Sequence, residues 1–191
     1  MRAAWRALVS EALEARRLVF VDEMGTNTSL APLHGWSRRG ERARLWAPRN
    51  RGKSMTLLAS MSSEGMGPAL AVQGSTNKAV FEAYVERVLA PSLRPGQVVV
   101  MDNLSAHKGE EARELIEGRG CEVLFLPPYS PDYNPIEEAF AKLKTPLRRA
   151  GACTREALIE AMGRALEAVT AGDARGFFKH CGYRTPAQLL W

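Results

Sequence analysis

With 191 residues, 46% hydrophobic and 25% charged, the chain can close one core of ordinary size; this excludes a disordered polymer and leaves little room for a second large domain. Three dispersed cysteines (Cys121, Cys153, Cys181) without a CxxC pair exclude a disulfide framework and a structural zinc site, and no apolar run nears the roughly 20 residues that span a bilayer. Net charge is +5, and one window, residues 37–53, accounts for it: seven cations stand there against Glu41, whereas elsewhere 19 cations face 20 anions.

The first seventeen residues predict an amphipathic helix with Trp5, Leu8, Val9 and Ala12 on one stripe. Its interspersed Arg2, Arg6, Glu11 and Glu14 exclude a signal peptide. LVFVDE (18–23) reads as a strand, followed by a Gly/Pro-punctuated loop and the basic window. In that window Arg38, Arg39, Arg42, Arg44, Arg49, Arg51 and Lys53 suit phosphate oxygens, and the flanking Trp36 and Trp46 offer faces to bases. The competing reading is a solvated excursion whose charges only keep it soluble.

Residues 54–62 and 68–74 predict two strands joined as a hairpin through SEGMG. A helix over 76–93, capped by Thr76 or Asn77, ends before Pro95-Gly96. QVVVMDN (97–103) is apolar on both sides of the pleat and predicts a strand buried on both faces. A helix over 107–120 and a second buried strand over 121–128 follow. Asn134 and Pro135 open a helix running to about 151, and residues 154–181 are helical with one break near 171–173. Hairpin-linked strands first, then alternating helices and strands, predict an α/β protein: a mixed five-stranded sheet with helices on both faces.

Two acids end apolar strands. Asp22 follows Val19, Phe20 and Val21; Asp102 follows Val98, Val99, Val100 and Met101. Either alone fits a turn or a cap, but two carboxylates at buried strand tips point to a divalent-cation site, and hard oxygen donors suit Mg²⁺ or Mn²⁺. A third acid is expected from the helix at Pro135, where Glu137 and Glu138 compete. Ile136, Phe140, Leu143 and Leu147 define its core stripe; at about 100° per residue Glu137 lies on the flank, roughly 85° from the stripe's centre, and Glu138 lies nearly opposite, towards solvent. Glu137 is therefore the expected ligand, with a capping box to Asn134 as the competing role. Pleat alternation turns Glu23 away from the face that carries Asp22.

LVFVDE, VVVMDNLSAH and LFLPPYSPDYNPIEEAFAKLK together resemble the catalytic domain of DDE transposases, nearest to the insertion-sequence group related to the mariner superfamily. HGWSRRGERA resembles that family's segment after the first strand, and the 34 residues between Asp102 and Glu137 match its spacing between second Asp and Glu. The resemblance covers about residues 17–150. It implies a ribonuclease-H-like fold in which the first and fourth strands are neighbours, so that Asp22 stands beside Asp102. It also implies a DDE endonuclease that cleaves DNA and transfers strands through two Mg²⁺ (or Mn²⁺) ions on Asp22, Asp102 and Glu137, with Asn103 and His107 in supporting or phosphate-contacting roles.

The implied partners are transposon ends and target DNA, a second copy in the active complex, and a helix-turn-helix region on a missing or separately encoded N-terminal part. The implied location is the bacterial cytoplasm, at the nucleoid, with no membrane partner. The expected division is a linker helix over 1–17, the catalytic domain over 18–150 and a helical extension over 151–191. Two other readings stay open: a ribonuclease-H-like nuclease without strand transfer, and a DNA-binding remnant of a decayed element.

Overall fold

The computed structural model describes residues 2–10, 13–44, 52, 54–103 and 109–184. Five strands form one sheet: β1 (Leu18–Thr26), β2 (Met55–Ser62), β3 (Gly65–Gln73), β4 (Val98–Met101) and β5 (Glu122–Phe125), in the order β3-β2-β1-β4-β5. β1 pairs antiparallel with β2 and parallel with β4, and β4 pairs parallel with β5. The sheet is therefore mixed, with β1 at its centre, the arrangement of the ribonuclease-H-like fold.

Helices cover both faces. On one lie α2 (Lys78–Tyr84, continuing helically to Ser92) and α3 (Glu110–Glu117), packed through Phe81, Tyr84, Val85, Ala112 and Ile116 on Val19, Val21, Val99 and Met101. On the other lie α4 (Pro135–Ala150), α5 (Arg155–Glu167) and α6 (Ala171–His180), packed on Leu18, Phe20, Val98 and Val100. The alternation of Val, Phe and Met along β1 and β4 feeds both cores at once. Asn77 caps α2, its Oδ1 accepting from Val80 N at 3.0 Å; Pro135 opens α4, and Gly151, at φ 56°, ends it in the left-handed conformation that glycine adopts without strain.

Two expectations change on contact with the fold. The N-terminal helix is shorter than seventeen residues: α1 (Arg2–Trp5) runs on in wider turns to Ser10, and a 3₁₀ turn over Ala15–Arg17 leads into β1. Trp5 and Val9 are buried in the α4 face, as expected for its stripe; Leu8 and Ala12 fall outside the described side chains. β5 is not buried on both faces. It is a four-residue edge strand with Glu122 exposed and Val123, Leu124 and Phe125 half-buried, because the sheet continues on one side of it only. α5, α6 and Tyr183 join the core on Phe20, with the Phe178 ring edge-on to Phe20 at 5.3 Å. No helix among the described residues is long and apolar enough to cross a membrane, and the three cysteines are free thiols.

Candidate active site

The parallel register of β1 and β4 runs from Leu18↔Val98 to Val21↔Met101. One residue further lie Asp22 and Asp102, side by side at the same edge of the sheet and, by pleat alternation, on its α4 face. Asp22 pairs across β2 with Ala59, and Ala59 with Ala69 on β3, so the neighbours of the acid on that face are small. Asp22 is buried and Asp102 half-buried. Both line a cavity of about 450 Å³ together with Asn103, Asn134, Glu137 and the loop from Leu126 to Pro131. Among the described residues, no three acidic, histidine or cysteine side chains converge closely enough to cage a metal ion. The three acids thus share one cavity without meeting at one point, and Glu137 is exposed on its rim.

The two adjacent glutamates part company. Glu137 faces the cavity. Glu138 is not a solvated bystander: its Oε1 lies 2.6 Å from His180 Nδ1 and accepts from Cys181 Sγ at 3.7 Å, which ties the first turn of α4 to the end of α6. The carboxylate raises the His180 pKa by holding its proton, and burial, with the Glu138 charge beside it, pushes the Cys181 thiol up to about 12.

Asn134 does not form the capping box that its spacing to Glu137 allows. Its side chain makes no bond to the first turn of α4; its Nδ2 donates instead to Asp22 Oδ2 at 2.7 Å. The second Asp22 oxygen accepts from Glu23 N at 2.7 Å. The loop that delivers Asn134 is held from two sides. Arg2 donates to Tyr129 O and Ser130 Oγ, each at 3.1 Å, pairs with Asp132 at 2.5 Å and lies 4.9 Å over the Tyr133 ring. From beneath, Trp5 Nε1 donates to Tyr183 Oη at 3.2 Å, and Tyr183 Oη donates to Tyr133 O at 2.6 Å. Both ends of the described chain thus converge on the loop that carries Asn134. Tyr129, with φ 53° and its ring fully exposed, sits at the turn's apex. The role of Arg2 escapes sequence reasoning because its partners lie some 130 positions away.

Of the remaining expected site residues, Arg38, Arg39, Arg42 and Arg44 are exposed on the segment between β1 and β2 and are not among the residues that line the cavity. Arg49, Arg51, Lys53 and His107 lie outside the described residues.

A five-stranded mixed sheet whose adjacent parallel strands end in two aspartates defines a ribonuclease-H-like enzyme scaffold, and comparison with known proteins gives the family. Residues 17–159 match the family model described as DDE superfamily endonuclease, and the chain belongs to that family. Its fold is similar to the Mos1 transposase paired-end complex with left transposon end (TM-score 0.76, 18% identity, 95% of this chain and 56% of that one). It is also similar to the Mos1 strand transfer complex (0.65, 19%, 95% and 54%) and to the catalytic domain of Mos1 mariner transposase (0.61, 16%, 95% and 84%). The chain spans just over half the length of the Mos1 chain in the paired-end complex and most of the Mos1 catalytic domain. No curated protein sequence matches it.

Proposed function

We propose that this chain is the catalytic part of a DNA transposase, which cuts phosphodiester bonds and joins the freed 3′-hydroxyl to target DNA. The observation that carries this reading is the juxtaposition of Asp22 and Asp102 at neighbouring strand ends, opening with Glu137 into one cavity. The donor set fits a divalent cation: three carboxylates of hard oxygen, with the buried carbonyl of Asn134 beside them. Among the similar structures are Mos1 paired-end complexes with Mg and with Mn. Asp22, Asp102 and Glu137 would hold two such ions, which when bound activate the attacking hydroxyl or water and stabilise the leaving oxygen.

The protein's own contribution is positional. β1 and β4 fix the two aspartates, and the first turn of α4 brings Glu137 in from the side. Three carboxylates facing one cavity repel each other, and a cation bound among them would offset that repulsion. Asn103 and His107, which follow the second aspartate in the sequence, would support the site or contact phosphate. Arg38, Arg39, Arg42, Arg44, Arg49, Arg51 and Lys53 would follow a DNA backbone. Recognition of transposon ends would fall to a helix-turn-helix region, and the active complex would hold two copies. Residues 18–150 would form the catalytic domain, with 1–17 as linker and 151–191 as a helical extension.

The test is Mg²⁺-dependent nicking of supercoiled plasmid, followed by joining of a duplex with an exposed 3′-hydroxyl to that plasmid. Asp22→Asn, Asp102→Asn and Glu137→Gln should each cut nicking by more than about a hundredfold, beyond what changes around a metal's ligands cost, while melting stays near wild type. Glu138→Gln should keep most activity; the reverse pattern would overturn the choice of Glu137. Nicking without joining would make the chain a ribonuclease-H-like nuclease. DNA binding without Mg²⁺- or Mn²⁺-dependent nicking would make it a binding remnant.

A further inference from the structure

We propose that Asn134 is a positioning residue of the cation site, its amide holding Asp22 and its carbonyl accepting from a water carried by the bound cation. The inference rests on the metal-dependent reading above.

Asn134 is 4% exposed and lines the cavity that holds the three acids. Its Nδ2 reaches Asp22 Oδ2 at 2.7 Å. A carboxylate accepts and does not donate, so the amide nitrogen must face Asp22 and the carbonyl must face elsewhere. That carbonyl oxygen is buried and has no hydrogen-bond partner. Other described residues with a buried side-chain oxygen that accepts no hydrogen bond are Glu23, Thr26, Thr76 and Glu82, and none of them lines the cavity. A buried acceptor without a donor is unfavourable, and native structures keep few of them. Here the natural donor is a water polarised by a divalent cation, which donates strongly and accepts poorly. The same amide bond leaves Asp22 with a fixed orientation, the usual service of groups that surround a metal's ligands.

A purely structural role for Asn134 makes a different forecast. If the residue served to start α4, serine and aspartate, which begin helices as well as asparagine, would replace it without loss. The experiment is Mn²⁺ binding to the DNA-free protein, followed by the loss of the free-ion paramagnetic resonance signal, with a melting curve on each variant. Asn134→Ser is too short to reach Asp22, and its Mn²⁺ affinity should fall about tenfold or more. Asn134→Asp sets a charged oxygen where the carbonyl stood, and its affinity should rise several-fold while the cation-free protein melts lower. Wild-type affinity in both variants would overturn the inference and leave the transposase reading intact. If the serine variant fails to fold, the aspartate variant decides alone: unchanged affinity overturns the proposal, and a rise supports it. Absence of any wild-type Mn²⁺ binding that Asp102→Asn removes would overturn the metal-dependent reading itself, and this inference with it.

Discussion

Two irregular segments differ in how they are held: the loop from Leu126 to Asn134 and the stretch from Pro32 to Arg44. The first is anchored in both directions. Leu126 N donates to Met101 O, Ser130, Tyr133 and Asn134 are buried, and Arg2, Tyr183 and Asp22 bond to it from three other parts of the chain. The second is exposed throughout, with Leu33 71% and Trp36 fully open to solvent. Its bonds are local, Glu41 N to Arg38 O and Ser37 Oγ to Glu41 O, closing a small turn through Gly40. Chemistry that needs a carboxylate fixed to a fraction of an ångström requires the first kind of loop; contact with an extended polyanion is served by the second, whose cations can adjust along a backbone.

The sharpest way to break this comparison is to remove the floor beneath the anchored loop. Phe178 is fully buried between Phe20 and Tyr183, with ring centroids 5.3 and 5.8 Å away, and Tyr183 carries the bond to Tyr133 O. Phe178→Ala should cost about 3–5 kcal/mol in chemical denaturation, the range for a buried phenylalanine. A loss well under 1 kcal/mol would mean that the C-terminal helices do not share the core of the sheet. Trp36→Ala, on the exposed segment, should leave the denaturation midpoint where it is.

The arginines of the exposed segment set the next effect. Arg38, Arg39 and Arg42 are exposed around the turn through Gly40, so their joint replacement by alanine should leave the melting temperature unchanged. If each contacts a phosphate, the slope of log affinity against log salt for duplex DNA should flatten by up to about 3 units. A fluorescence-anisotropy salt titration reads the slope, and an unchanged slope would remove this segment from the DNA-binding surface.

How far these differences were legible in the sequence depends on the range of the interaction. Asp22 and Asp102 stood out because the apolar runs before them fix the strand, its register and the face of the next residue. The direction of Glu137 followed from 100° steps along one helix. Asn134 was misleading because Asn-x-x-Glu spells a capping box in either case, and only the distance to Asp22 shows where the amide goes. Half-burial of β5 is a property of its place at the sheet's edge, which its letters do not carry. The Glu138–His180 contact joins α4 to α6 across 42 positions, and periodicity within one helix says nothing about it.

Arg2 offers a smaller perturbation of the anchored loop. It is half-exposed and holds Tyr129, Ser130 and Asp132 at once. Its hydrogen bond and charge lower the Asp132 pKa below the ordinary carboxylate value of 3.8, so this contact is complete above that value and is lost as pH falls through the lower folded one. Arg2→Gln should speed hydrogen exchange at Tyr133 N and Asn134 N, whose bonds to Ser130 O and Pro131 O close the turn, with little change in global stability. Equal exchange in both proteins would show that Tyr183 alone holds the loop.

The smallest effect expected is at the clip between Glu138 and His180. The partners are partly exposed, with side-chain accessibilities of 33% and 80%, so screening keeps the interaction modest near neutral pH. Its sign is nevertheless fixed. Glu138 raises the His180 pKa above the unfolded value of 6.5, first through the hydrogen bond and then through its charge. A raised folded pKa means that the stabilisation is complete below 6.5 and is lost as pH rises through the higher folded value. Cys181, the other titratable group bonded to Glu138, has its pKa pushed to about 12 and stays a neutral thiol over this range. Wild type should therefore melt above His180→Gln in mildly acidic buffer, and the gap should close as the buffer becomes alkaline. A gap that is constant or widens with pH would show that His180 contributes by packing rather than by charge, and the link from α6 to the first turn of α4 would then be independent of protonation.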